Sequence, residues 1–110
     1  MFTKQAAHPK KTLMAGIDMT PLAWGEKTMI VRFDLQKESH IPSHEHLYEQ
    51  TGFLVSGRMR LTIGEETFDT VSGDSWSIPA YTAHKAEALE DCVAVEVFSP
   101  PRDDYLPRQS

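Results

Sequence analysis

The segment from His44 to Gly57, HEHLYEQTGFLVSG, sets two imidazoles one residue apart and an amide side chain, Gln50, four residues after the second. Alternate residues of an extended chain share a face, so His44, His46 and Gln50 project to one side. A third imidazole, His84, opens a strand after the turn in GDSWSIPAYTAH, where Pro79 closes the strand before it. An HxH pair alone recurs by chance; the second segment is what completes a coordination set. Three neutral imidazoles and one amide oxygen suit a divalent transition metal, and nickel, zinc, manganese, iron and copper all fall within their range. Because the amide carries no charge, a bound ion keeps its full double charge, which disfavours a trivalent state and favours a Lewis acid that orients oxygen ligands. Glu49 is the alternative oxygen donor, but it reaches the same face only if a bulge intervenes.

The elements that must hold these groups read as strands. In KTMIVRFDLQ, Met29, Val31, Phe33 and Leu35 alternate with Arg32 and Asp34, the period of a half-buried strand. TGFLV, RMRLTI, ETFDTV, SWSIP and CVAVEVF read the same way, separated by turns at Ser56-Gly57, Gly64-Glu65 and Gly73-Asp74. Short strands at such spacing predict an all-β sandwich or barrel, and no long window carries a 3.6-residue period, so helix should be minor. Residues 1–26 read as an N-terminal arm with at most one short strand, because HPKK and MTPLA interrupt any pattern, and residues 27–110 as one barrel domain with a C-terminal tail.

Composition narrows the partners. A chain of 110 residues holds a single core and no second catalytic module. A net charge of -5 argues against nucleic acid, and no apolar run approaches the ~20 residues a membrane span requires. A small molecule is the expected partner. MFTKQAAHPKK has no apolar core of a secretory signal, and the single Cys92 permits no internal disulfide, so the expected compartment is the cytoplasm.

HEHLYEQTGFLVSG resembles the first motif of the cupins, with His44, His46, Gln50 and Gly57 in register, and GDSWSIPAYTAH resembles the second, with Gly73, Pro79 and His84. The resemblance spans about residues 27–99 and implies a double-stranded β-helix, the cupin jelly-roll barrel, with a metal inside it. Two motif glycines are replaced, by Glu38 and Tyr81, and the asparagine that sometimes follows the last histidine is Ala88. If these turns need positive φ, a side chain there carries strain; Tyr81 either adopts another turn or is held at some cost.

The closing segment VEVFSPPRDDYL is similar to the end of the KdgF-like cupins of pectin degradation, through Glu96, Phe98, Pro100, Arg102, Asp103, Asp104 and Tyr105. Those proteins also use glutamine at the metal, and the resemblance implies ring opening of 4,5-unsaturated uronates to linear 4-deoxy-5-keto uronates. Their acid at this position is usually aspartate; Glu96 keeps the carboxylate and moves it by one methylene. Chemically, one carboxylate such as Glu96 can take the anomeric proton and deliver a proton elsewhere, Arg102 can receive an acid with parallel hydrogen bonds, and Phe98 can wall the sugar ring. Strand parity leaves two readings. Either Val93, Val95 and Val97 form the core face and Glu96 is solvated, or Glu96 and Phe98 face the pocket and the valines need another cover. The second reading predicts a homodimer, with Phe53 and Val55 in the interface. Other functions for the same barrel are a metal-dependent dioxygenase, which would consume oxygen, and a non-enzymatic small-molecule-binding or sensory cupin, which would bind without turnover. Trp24 and Trp76 read as core or rim packing, Met29 and Met59 as core, and His8, His40, Arg58 and Arg60 as surface.

Overall fold

A computed structural model describes residues 1–107. The last three residues of the tail lie outside the described residues. The strands are β1 (Lys11–Met14), β2 (Ile17–Trp24), β3 (Met29–Leu35), β4 (His40–His44), β5 (Glu49–Ser56), β6 (Arg58–Ile63), β7 (Glu66–Val71), β8 (Ser75–Ile78), β9 (His84–Ala88) and β10 (Cys92–Ser99). They form two antiparallel sheets, ordered β1-β2-β3-β10-β5-β8 and β4-β9-β6-β7, a double-stranded β-helix. Among the described residues there is no helix long and apolar enough to cross a membrane.

Alternation along each strand decides what points inward. Met29, Val31, Phe33 and Leu35 of β3 and Met59 and Leu61 of β6 are buried, and they face each other across the barrel core. On β10 the buried residues are Cys92, Ala94, Glu96 and Phe98, while the valines between them are only half-buried. This overturns the reading in which the valines form the core face. The reason is register: Glu96 pairs with Val31 of β3 and Gly52 of β5, and directly opposed residues share a face, so the parity of β3 dictates that of β10.

The N-terminal stretch is more than an arm with a short strand. Residues 11–24 supply two strands, and Ile17 and Met19 are fully buried against Leu35 and Phe33, their register partners. Pro21 is compatible with β2 because β1 pairs no further than Met19 and the register slips between Pro21 and Ala23, so the missing N–H costs no ladder bond there.

Both replaced motif glycines keep the left-handed backbone: Glu38 has φ 74° and Tyr81 φ 61°. Each is fixed by a main-chain bond, Glu38 N–H to the Ala88 carbonyl at 2.8 Å and Tyr81 N–H to the His46 carbonyl at 2.7 Å. Both side chains are exposed and give up little packing if removed. Glu38→Gly and Tyr81→Gly are therefore each expected to stabilise the fold by about 0.5 to 1 kcal/mol net of glycine's extra unfolded-state freedom, read as a rise in the urea midpoint with unchanged slope. Gly57, between β5 and β6, differs: with φ 91° and the Asp91 carbonyl where a Cβ would sit, it admits no side chain.

Candidate active site

His44 ends β4, His84 begins β9, and the two are register partners across the second sheet. His46 lies beyond β4 in the bend that carries the chain to β5, so the shared direction of His44 and His46 comes from this corner and not from one continuous strand. A bulge between Ile41 and His44 turns His44 inward. The result is a tight cluster: ring centroids are 4.1 Å apart for His44 and His84, 4.9 Å for His46 and His84, and 5.4 Å for His44 and His46. One ligand nitrogen from each lies within 4.8 Å of the others.

A bond to a main-chain carbonyl orients each of the three rings. Nδ1 of His44 meets the Pro42 carbonyl at 3.0 Å, Nδ1 of His46 the Tyr48 carbonyl at 3.0 Å, and Nδ1 of His84 the Thr82 carbonyl at 2.8 Å. Since a carbonyl only accepts, each Nδ1 carries the proton and each Nε2 presents a lone pair. His84 Nε2 is buried with no hydrogen-bond partner. His46 Nε2 lies 3.2 Å from Gln50 Oε1, two acceptors facing each other as long as the amide keeps that orientation. Converging lone pairs with no donor among them are what a cation satisfies, so His44, His46, His84 and Gln50 fit a divalent transition metal. Burial, then the charge of Arg102 and neighbouring His44, lowers the pKa of His46; burial lowers that of His84 to about 4, against the pull of the Thr82 carbonyl. Both rings are therefore neutral at physiological pH, the state a ligand needs. Glu49 is exposed and points away, while Gln50 is buried, in accord with the parity argument.

Glu96, Phe98 and Arg102 join His44, Gln50 and His84 in lining a single cavity of about 270 Å³ inside the barrel. Glu96 is 7% exposed, and its carboxylate accepts from the Trp76 indole N–H, with Nε1 3.2 Å from Oε1 and 3.3 Å from Oε2. Burial raises its carboxyl to about 7, with the Gln50 amide and Trp76 indole pulling the other way, so near neutrality it can both take and give a proton. Phe98 is buried, edge-on to His46, Tyr105 and Phe33. Arg102 is held differently from the expectation of a free fork. Nη2 lies 2.9 Å and Nε 3.3 Å from the Asp104 carboxylate, and the guanidinium carbon sits 3.9 Å from the Tyr105 ring centroid, 5.0 Å from Tyr48 and 5.2 Å from Phe98. Its fork is thus committed to Asp104, and only its remaining N–H groups can meet an anion.

Two contributors escaped the sequence reading. Tyr48 joins Tyr105 in boxing in Arg102, and Trp76, read as packing, contacts the buried carboxylate. Tyr48 follows His46 by two residues, a parity signal that was present; the Trp76 contact depends on cross-strand register, which no local pattern carries. Trp24 lies against His8, with ring centroids 5.2 Å apart and planes tilted by 45°, and His40 is exposed.

A double-stranded β-helix with three histidines converging inside its barrel is a metal-site cupin in architecture. The chain belongs to the cupin domain family, whose match covers residues 31–98. It is similar to KdgF from Halomonas sp., at 29% identity and a TM-score of 0.90 over 96% of this chain and 98% of that one. An RmlC-like cupin from Shewanella frigidimarina superposes with a TM-score of 0.91 at 21% identity, covering 96% of this chain and 95% of that one, a likeness of fold. An uncharacterized protein of Streptomyces coelicolor is 40% identical over 57 residues, 51% of this chain, and the match spans about half of that relative, 54%.

Proposed function

We propose that this cupin opens the ring of 4,5-unsaturated uronates by proton transfer without redox chemistry, giving linear 4-deoxy-5-keto uronates. The observation that supports it most is the placement of a buried carboxylate, Glu96, in one cavity with the histidine cluster and Arg102. Glu96 takes the proton of the anomeric hydroxyl; the C1–O bond becomes a carbonyl as the bond from C1 to the ring oxygen breaks, and the same carboxyl returns the proton to C4 of the resulting enolate. The step is an isomerisation, so atoms and electrons balance within the substrate. A divalent ion held by His44, His46, Gln50 and His84 would supply Lewis-acid orientation of substrate oxygens. The unpaired N–H groups of Arg102 meet the substrate carboxylate, and Phe98 excludes water from the ring face. Incubation of the metal-loaded protein with unsaturated galacturonate should bleach the alkene absorbance faster than buffer with the same metal; equal rates would sink this substrate.

A second reading has its own support. Leu13, Met14, Leu35, Ile41, Leu61 and Ile78 also line the cavity, surroundings that favour a small carboxylic acid with an apolar body over a fully hydroxylated sugar. Competition of a cyclohexenecarboxylate against the uronate separates the two: tighter binding of the less hydroxylated acid selects the second.

We also infer that a second copy of the chain covers the outer face of the larger sheet. Phe53 and Val55 are 43% and 45% exposed, and Val95 and Val97 lie beside them on β10, opposite Phe53 and Thr51. Light scattering should give twice the chain mass, and Phe53→Lys should return it to one.

A further inference from the structure

Glu96, Gly52 and Trp76 form a row across three adjacent strands. Glu96 is the register partner of Gly52, and Gly52 is in turn the partner of Trp76. Residues opposed in this way project to the same face, and the two ends of the row are two strand spacings, roughly 10 Å, apart. The end side chains can meet only over the middle residue. Gly52 leaves that space open: a Cβ there would collide with the indole of Trp76 and with Oε2 of Glu96. Through the gap the single indole N–H is shared between both carboxylate oxygens, 3.2 Å from Oε1 and 3.3 Å from Oε2. Glu96 lines the central cavity, and the indole reaches its carboxylate along the sheet, across the Gly52 gap.

We infer that Trp76 is a positioning residue that sets the plane of the Glu96 carboxylate toward the cavity, and that Gly52 is the gap that lets it do so. The catalytic consequence rests on the proposed role of Glu96 as the proton carrier. An indole packed only for bulk would need any acceptor for its N–H, and a main-chain carbonyl would serve; here the acceptor is the one buried carboxylate of the site, held through both of its oxygens. Rotation of that carboxylate would break the shared bond, so the hydrogen bond selects one orientation. Misplacing a reacting group by about 1 Å can cost on the order of 100-fold in rate.

Trp76→Phe keeps the aromatic bulk and removes the donor. Its expected effect is a kcat 10- to 100-fold lower with KM and bound metal unchanged; a kcat within twofold of the parent would overturn the inference. A readout free of activity comes from the indole N–H resonances of the folded protein, where the chain's two tryptophans make assignment simple. The Trp76 signal should exchange slowly and move on Glu96→Gln, while that of Trp24 stays. A Trp76 signal indifferent to Glu96→Gln would also overturn it. If the parent turns over no uronate, the ring-opening proposal falls, and the resonance test still decides whether Trp76 orients Glu96.

Discussion

Glu96→Gln is expected to lower turnover by at least about 100-fold and, in the same molecule, to raise stability at alkaline pH. The two effects share one cause. Burial holds the Glu96 carboxyl at about 7 in the folded protein, against 4.5 for an ordinary glutamate, so between these values the folded state keeps a proton that the unfolded chain has released. The stabilising contribution is therefore complete below pH 4.5 and is lost as pH rises through 7; above that the fold must bury a charge. Glutamine keeps the shape and the acceptor for Trp76 and removes the charge. Metal-free Glu96→Gln should be more stable than the parent by up to about 3 kcal/mol at pH 8, with the difference fading toward zero below pH 4.5. Denaturant titrations at both pH values read this directly. His84 titrates in both proteins and cancels from the comparison. Parent-level turnover in the variant would remove Glu96 from the mechanism, and a pH-independent stability difference would show that its carboxyl is not held by burial.

This trade between stability and activity was half legible in the chain. Alternation in β3, β5, β6 and β10 and the turn glycines foretold a β-barrel, because the period of two is written locally wherever one face is buried. The cluster of candidate ligands was legible for a similar reason: His44, His46, Gln50 and His84 come from two short segments whose spacing is fixed by turns. The direction of β10 was not, since Glu96 and Val95 both fit a strand and only pairing with β3 and β5 decides between them. Residues 11–24 were misread because Pro21 signals a break, and its tolerance depends on where β1 stops. Glu38 and Tyr81 show the limit of the motif itself. The positive φ survives the loss of glycine because neighbouring strands dictate the turn through the bonds to Ala88 and His46.

Loading with zinc or nickel is expected to produce the largest change in stability, and His84→Ala to abolish it. His84 Nε2 is buried without a protein partner and His46 Nε2 faces an amide oxygen, lone-pair contacts that a cation relieves. An ion that binds only the folded state stabilises it by about 4 kcal/mol when free metal is 1,000 times Kd, which for a domain of this size moves the thermal midpoint by on the order of 10 to 20 °C. The Nδ1 bonds to the Pro42, Tyr48 and Thr82 carbonyls already fix the rings, so little ordering remains to offset binding. His84→Ala removes the innermost ligand and should leave the midpoint within a degree or two with or without metal. Gln50→Glu should still bind one ion per chain, but the added negative charge shifts preference toward metals that tolerate a higher oxidation state. Gln50→Ala is the decisive control for the fourth ligand: unchanged metal content and unchanged midpoint in that variant would leave the three histidines as the whole site and reassign the amide to holding Glu96.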